Sequence, residues 1–192
     1  MRIMPVCLYY YSRQKKVCTS EDESIYGIHA ISGLTHNHLR SQICCGTYYF
    51  MVKSIIDGIK KTEPAALTDL LQKGIDDGRK YYMQDINEMT EMSHLERLFD
   101  LKEFKDIPES MIKSSGYVVD SIEAALWCLV NTDSYKDCVL KAVNLGDDAD
   151  TVAAIAGGLA GLYYGYEGIP KEWLEVIKRR EWIEGLCQKI EQ

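Results

Sequence analysis

The sequence has no excess of positive charge: its 192 residues include 22 lysines and arginines but 29 aspartates and glutamates, a net charge of −7. Its longest basic run is only Lys178-Arg179-Arg180. Proteins that bind nucleic acid through the phosphate backbone carry a clustered basic patch or stripe. We therefore expect no nucleic-acid partner.

Long apolar runs are also missing. The most apolar window, residues 152–164, contains three glycines and is shorter than the ~20 residues that a membrane-spanning helix needs. The N-terminus has a short apolar stretch after Arg2 but no small-residue cleavage site before Ser12. We expect neither a membrane span nor a secretory signal.

Paired cysteine motifs are absent as well. The chain has seven cysteines, an odd number, and no two of them have C-x-x-C spacing. Cys128, Cys138 and Cys187 stand in apolar helical surroundings, which is typical of reduced thiols packed in a core and favours a cytoplasmic location. The adjacent Cys44 and Cys45 leave a redox role open, but neighbouring positions on a helix do not face each other.

Helical periodicity dominates the apolar pattern, and no window alternates with period two over the length of a strand. We predict an all-α chain that forms a single domain over residues 1–192. N-terminal caps are predicted at Ser20, Asp120 and Ser134, each followed three residues later by a carboxylate. The predicted helices lie near residues 4–13, 22–32, 39–60, 64–82, 85–98, 120–131, 135–144, 151–165 and 170–190.

Two segments have less regular patterns. Residues 101–119 contain Pro108 and mixed charge without clear periodicity, which predicts a surface loop or the rim of a site. The charged residues 88–97 predict a solvent-exposed helix face.

An acidic cluster precedes the most apolar helix. Asp147, Asp148, Asp150 and Thr151 lie within five positions, immediately before a helix of small apolar residues. Carboxylate and hydroxyl oxygens are the ligands that Mg²⁺, Mn²⁺ and Ca²⁺ prefer, which predicts a divalent-cation site at this turn. The alternative is that the acids cap the helix and favour its positive end, an interaction typically worth ~0.3–1 kcal/mol.

A stripe of small residues follows the acidic cluster. Ala153, Gly157, Gly161 and Gly165 recur every four residues along the predicted helix. Glycine inside a helix costs ~0.5–1 kcal/mol relative to alanine, so the stripe predicts that another backbone approaches this face closely.

Other metal and acid motifs fit less well. An EF-hand counted from Asp148 would need glycine and glutamate where Ala153 and Leu159 stand. The string Asp148-Ala149-Asp150-Thr151-Val152 resembles the D-x-D-x-T/V motif of haloacid-dehalogenase phosphatases, and its first three residues match the D-x-D of nucleotide-sugar transferases, but both motifs normally follow a strand. A zinc site at His36 and His38 lacks further histidines or cysteines at finger-like spacing.

Residues 144–157, followed by Gly161, Gly168-Ile169-Pro170 and Trp173, resemble the C-terminal signature of the ADP-ribosylglycohydrolase family. This family includes the dinitrogenase-reductase-activating glycohydrolases. Three upstream segments, residues 1–5, 35–38 and 116–127, are similar to family segments in the same order. The resemblance therefore covers the whole chain.

The resemblance implies an orthogonal multi-helix bundle that hydrolyses the glycosidic bond between ADP-ribose and a protein or small-molecule acceptor. It implies Asp148, Asp150 and Thr151 as metal ligands for Mg²⁺ or Mn²⁺, with two ions in a complete site. It further implies that His36 lies near the diphosphate of ADP-ribose, that Tyr117 lies near its adenine end and that Gly116 also belongs to the ligand-binding site. It assigns no catalytic base.

The family's glycine-rich start and its Thr-Asp-Asp motif do not occur in this sequence. The resemblance therefore implies a partial domain that lacks the family's N-terminal helices. An alternative is a catalytically silent module that binds ADP-ribose or metal, self-associates or pairs with a complementing chain.

Overall fold

The computed structural model describes residues 2–17, 19–61 and 65–191, and within these ranges all regular structure is helical. This confirms the predicted all-α class. No helix in these ranges combines the length and apolarity needed to cross a bilayer. The α-helices are α1 Met4–Val17, α2 Glu21–Gly33, α3 Leu39–Ile59, α4 Leu67–Tyr82, α5 Ile86–Met92, α6 Leu101–Lys105, α7 Val118–Val130, α8 Tyr135–Val143, α9 Ala149–Tyr164, α10 Lys171–Glu175 and α11 Arg180–Glu191.

Helix α3 lies at the centre of the bundle and contacts α1, α2, α4, α5, α7 and α9. Its Tyr49, Met51 and Ile55 are fully buried. Helix α7 is buried over most of its length and packs against α8 and α9 on its other sides. Because α7 and α9 lie together in the core, the loops that precede them meet at one end of the bundle.

Helices α3 and α4 approach each other backbone to backbone. A Cβ atom added to Gly74 of α4 would lie 2.5 Å from the Cα atom and 2.7 Å from the nitrogen of Met51. The apolar face of α4, with Leu71 and Ile75 fully buried, is thereby pressed directly onto α3.

The predicted backbone contact along α9 is wrong. A Cβ atom on Gly157 would lie 3.4 Å from the Val139 side chain, and one on Gly161 would lie 3.8 Å from the Tyr135 ring. The stripe is therefore filled by side chains of α8. Gly165 ends α9 with a φ of +73°.

Two of the three predicted caps are confirmed. Ser20 forms a capping box with Glu23, and the Ser134 side chain accepts a hydrogen bond from the backbone nitrogen of Asp137. The prediction at Asp120 is wrong because α7 begins two residues earlier, at Val118. Glu123, predicted to complete that cap, is instead buried against Arg97, whose Nη1 donates to its Oε2 over 2.5 Å.

Several boundaries also differ from prediction. Helix α1 continues to Val17, α9 begins at Ala149, and the predicted helix over 85–98 becomes a 3-10 helix from Ser93 onward. The predicted start of α4 at residue 64 lies outside the described residues. Within the segment predicted as a loop, α6 forms because Asp100 caps it and its Leu101 and Phe104 are buried.

The predicted helix over 170–190 is divided into α10 and α11. Arg179 has a φ of +60°, a left-handed conformation that interrupts the helix. The apolar stripe continues through α11, but its Trp182 remains 61% exposed, and Cys187, predicted to be packed, is exposed too. Cys128 and Cys138 are buried free thiols, as predicted, and Cys44 is a buried free thiol as well.

Candidate functional site

The acidic cluster lies in the tight turn between α8 and α9. Gly146 and Asp147 both have positive φ, +85° and +48°. Aspartate is one of the few residues other than glycine that tolerate this region of backbone space. The turn places Asp148 at the N-terminal end of α9, with Asp150 and Thr151 in the first turn of the helix.

A second loop, which precedes α7, holds this turn in place. The backbone nitrogen of Asp148 donates a hydrogen bond of 3.0 Å to the carbonyl oxygen of Ser114. The buried hydroxyl of Ser114 donates in return to the carbonyl oxygen of Gly146, also over 3.0 Å. These reciprocal bonds join the Ser114–Gly116 loop to the acidic turn.

The structure brings Asp148, Thr151 and Gly116 together. The Thr151 hydroxyl donates to Oδ1 of Asp148 over 2.9 Å. A Cβ atom on Gly116 would lie 3.5 Å from Oδ2 of the same carboxylate. A larger side chain at position 116 would thus occupy space beside the carboxylate.

Helix capping does not account for the Asp148 carboxylate. Asp148 occupies the N-cap position of α9, but no backbone N–H of that helix donates to its side chain. Its described hydrogen-bond partner is a hydroxyl group, the second oxygen donor of the predicted metal site.

The donors at the turn fit a hard divalent cation in their chemistry. Asp148 and Thr151 offer adjacent oxygens, and Mg²⁺ commonly keeps several water ligands when a protein supplies only a few donors. Asp150 is exposed in the first turn of α9. Within residues 2–17, 19–61 and 65–191, no three histidine, cysteine, aspartate or glutamate side chains cluster in a way suited to a metal ion.

Tyr117 lies at the start of α7, beside this junction. Its backbone nitrogen donates to the Ser115 hydroxyl over 3.2 Å, and its carbonyl oxygen accepts a bond of 3.1 Å from Ser121. The Ser115 hydroxyl donates in turn to Asp120 over 2.6 Å. The backbone position of Tyr117 is therefore well defined.

His36 lies in the loop between α2 and α3 and is exposed. Its described hydrogen-bond partner is the neighbouring Thr35, at 3.0 Å, so the structure does not join it directly to the turn before α9. The following His38 caps α3, and its Nδ1 accepts a bond from the backbone nitrogen of Arg40.

The sequence analysis missed Arg40. Its guanidinium donates to Oε2 of Glu91 over 2.7 Å and to the Tyr117 hydroxyl over 2.7 Å, and it contacts Nε2 of His94 at 2.6 Å. The segment 88–97 is therefore not simply a solvent-exposed face. Arginine in the first turn of a helix is unfavourable because the helix dipole has its positive end there. The position of Arg40 near the start of α3 was therefore the one sequence signal that pointed to an acidic partner.

Partial burial has the largest single effect on the pKa of Arg40 and lowers it. Hydrogen bonds to Glu91 and Tyr117, together with the charges of these groups, act in the opposite direction. The net result is a raised pKa. Arg40 therefore stays positively charged beside Tyr117.

The helical fold agrees with comparisons to known proteins. The family model of ADP-ribosylglycohydrolase matches residues 1–192. The chain therefore belongs to the ADP-ribosylglycohydrolase family.

Two members of this family with named activities match part of the chain. The ADP-ribosylarginine hydrolase Tri1 of Serratia proteamaculans is 47% identical over 93 residues, which is 48% of this chain and 25% of that protein. The ADP-ribosyl-[dinitrogen reductase] glycohydrolase of Rhodospirillum rubrum is 33% identical over 144 residues, which is 75% of this chain and 40% of that protein. The matched region is thus less than half the length of either relative.

A solved structure described as an ADP-ribosylglycohydrolase-related protein complex has a similar fold. It superimposes with a TM-score of 0.70 at 25% sequence identity. The match covers 88% of this chain and 52% of that chain.

Proposed function

We propose that this chain binds ADP-ribose on an ADP-ribosylated protein and hydrolyses its glycosidic bond with the help of a bound Mg²⁺ or Mn²⁺ ion. Asp148, Asp150 and Thr151 would hold the cation, and Gly116 and Tyr117 would lie along the nucleotide. Two relatives whose names describe hydrolysis of ADP-ribosyl groups, one of them acting on arginine, support this proposal.

The main support for the proposal is the contact between the Ser114–Gly116 loop and the acidic turn before α9. Asp148 bonds to Ser114 through its backbone and to Thr151 through its carboxylate. The oxygen donors are therefore fixed next to Gly116 and Tyr117 by elements of the buried core. A site supported in this way keeps its geometry before the ligand arrives.

The chemistry of such a site follows from its charge. Glycosidic bonds break through a transition state with positive charge on the sugar. The carboxylates of Asp148 and Asp150 would stabilise that charge and accept hydrogen bonds from ribose hydroxyls. A divalent cation, when bound, would offset phosphate charge and lower the pKa of a bound water molecule.

A second candidate is a silent module that binds ADP-ribose without cleaving it, alone or paired with another chain. The described residues favour this candidate in one respect, since they include no group of three histidine, cysteine, aspartate or glutamate side chains arranged to hold a metal ion.

One experiment separates the two. The chain is titrated calorimetrically with ADP-ribose in Mg²⁺, and release of ADP-ribose from an arginine-modified peptide is measured in parallel. Binding with release supports the hydrolase, and binding without release supports the silent module. A chain that neither binds nor releases ADP-ribose contradicts both.

The contact with adenine has its own test. Replacing Tyr117 by alanine removes a ring that would stack on the base, and stacking is worth ~1–3 kcal/mol per base. We expect Tyr117→Ala to weaken ADP-ribose binding by roughly five- to a hundredfold. Tyr26→Ala, which removes an exposed tyrosine on α2, is the matched control and should leave binding unchanged. Equal affinities of the two variants would contradict the assignment of Tyr117.

A further inference from the structure

Arg40 is the point at which four parts of the chain meet. It lies in the first turn of α3, and its guanidinium reaches Glu91 at the end of α5, His94 in the following 3-10 helix and Tyr117 at the start of α7. The Arg40 side chain is 23% exposed and that of Glu91 is 21% exposed, so the pair is partly shielded from solvent.

The Tyr117 ring depends on this contact. Ser115 and Ser121 fix only the backbone of Tyr117, and the residue as a whole is 42% exposed. Within the described residues, the hydrogen bond that orients the ring is the one from Nη1 of Arg40 to the hydroxyl group, at 2.7 Å. An exposed tyrosine without such a bond would sample several rotamers.

We propose that Arg40 is a positioning residue that holds the Tyr117 ring in its ligand-binding orientation and ties it to Glu91 and His94. The planar guanidinium suits this task because it donates in several fixed directions at once. Glu91 neutralises the arginine and fixes one edge of it, so the remaining donors point in defined directions toward His94 and Tyr117.

The expected effect of Arg40 on ligand affinity rests on the proposed function. If Tyr117 contacts the adenine of ADP-ribose, a ring that is already held loses less conformational freedom on binding. Immobilising one side chain costs ~0.5–1.5 kcal/mol, which corresponds to a roughly two- to tenfold loss of affinity when Arg40 is removed.

The positioning itself is tested without ligand. Tyrosine labelled with ¹³C at Cζ reports hydrogen bonding at the hydroxyl group, and the Tyr117 signal is assigned by its loss in Tyr117→Phe. We expect this signal to shift in Arg40→Met. Arg13→Met is the matched control, because Arg13 donates to Tyr9 over 3.1 Å on α1, in a pair of the same kind that includes none of the site residues. An unchanged Tyr117 signal in Arg40→Met would overturn the proposal.

Should Arg40→Met fail to fold, Arg40→Lys keeps the positive charge beside Glu91. The single ammonium group of lysine cannot reproduce the planar fork of donors. The same shift of the Tyr117 signal is therefore expected in this variant, and an unchanged signal would overturn the proposal.

A double-mutant cycle then tests the effect on ADP-ribose affinity. Arg40→Met should weaken binding roughly two- to tenfold in the parent but less than about twofold when Tyr117→Phe is already present. Equal losses in both backgrounds would show that Arg40 acts independently of Tyr117 and would overturn the proposal. A parent chain that fails to bind ADP-ribose contradicts the proposed function, while the labelled-tyrosine experiment still decides whether Arg40 positions the ring.

Discussion

Helices α4 and α9 each contain two glycines four residues apart, Gly74 and Gly78 in α4 and Gly157 and Gly161 in α9. The two pairs have different surroundings. In α4, Gly74 meets the backbone of α3 directly. In α9, Gly157 and Gly161 face the side chains of Val139 and Tyr135 on α8. The spacing therefore predicts a helix face without side chains, but the partner helix decides what fills it.

The sequence of the partner explains the difference. Helix α3 carries glycines of its own against α4: a Cβ atom on Gly46 would meet the Tyr82 hydroxyl, and one on Gly58 would meet the Leu70 side chain. Helix α8 has no glycine and places Tyr135 and Val139 toward α9. The glycines of α3 thus accommodate side chains of α4 on either side of the point where Gly74 meets the backbone of Met51.

Gly74→Ala tests the close contact between α3 and α4, and we expect it to have the largest effect on stability. The added Cβ atom would lie 2.5 Å from Met51 Cα, and a backbone atom cannot move aside as a flexible side chain can. We expect a loss of about 3 kcal/mol or more in the free energy of unfolding, measured by urea denaturation. A loss below about 1 kcal/mol would mean that α3 and α4 do not cross this closely.

A smaller effect on the same side of the molecule depends on pH. His29 of α2 is 2.8 Å from the Tyr82 hydroxyl at the end of α4, and burial lowers the pKa of His29 from 6.5 to about 4. Between pH 4 and pH 6.5, the His29 ring is protonated in the unfolded chain but not in the folded chain. This contribution to stability is therefore complete above pH 6.5 and is lost as the pH falls toward 4.

The expected loss is about 1–2 kcal/mol, less than the full pKa shift corresponds to, because the ring is partly exposed and screened by solvent. Urea unfolding at pH 7 and pH 4.5 measures it. His29→Gln should reduce the difference between the two pH values, whereas His36→Gln, at an exposed loop position whose described partner is the neighbouring Thr35, should retain it. Identical pH dependence in His29→Gln and the parent would exclude His29 as the cause.

The smallest expected effect is that of Gly161→Ala in α9. The new Cβ atom would lie 3.8 Å from the Tyr135 ring, an ordinary van der Waals distance. Alanine favours a helix over glycine by ~1 kcal/mol, so we expect a gain of about 0.5–1 kcal/mol in the free energy of unfolding. A loss comparable to that of Gly74→Ala would show that α9 is packed as tightly as α4.

Most helices of the fold were predictable because their apolar residues recur with helical period. The exceptions depend on contacts distant in sequence or on a single backbone angle. The apolar stripe continues through this segment, yet α10 ends at Glu175 and the left-handed conformation of Arg179 lies directly before the start of α11. Helix α6 was missed although Asp100 and Glu103 give a capping signal of the same kind as Ser20 and Glu23.

The candidate site was predictable where its residues are neighbours in sequence. Asp148 and Thr151 are three positions apart and meet at the start of α9. The family resemblance implied Gly116 as a ligand-binding residue, but nothing local predicts its proximity to Asp148, 32 positions away. The contacts of Arg40 with Glu91 and Tyr117 span 51 and 77 positions, and only the packing of α3, α5 and α7 creates them.

We propose that the turn before α9 binds a divalent cation. A calorimetric titration of Mg²⁺ into the chain in the presence of ADP-ribose tests this proposal, for the parent and for Asp148→Asn, Asp150→Ala and Asp147→Asn. Asp147 is exposed at a positive φ that asparagine also tolerates, so Asp147→Asn is the matched control. We expect binding in the parent and the control, with at least a tenfold loss in the other two variants and unchanged helix content. Parent-like Mg²⁺ affinity in Asp148→Asn and Asp150→Ala would contradict the proposal.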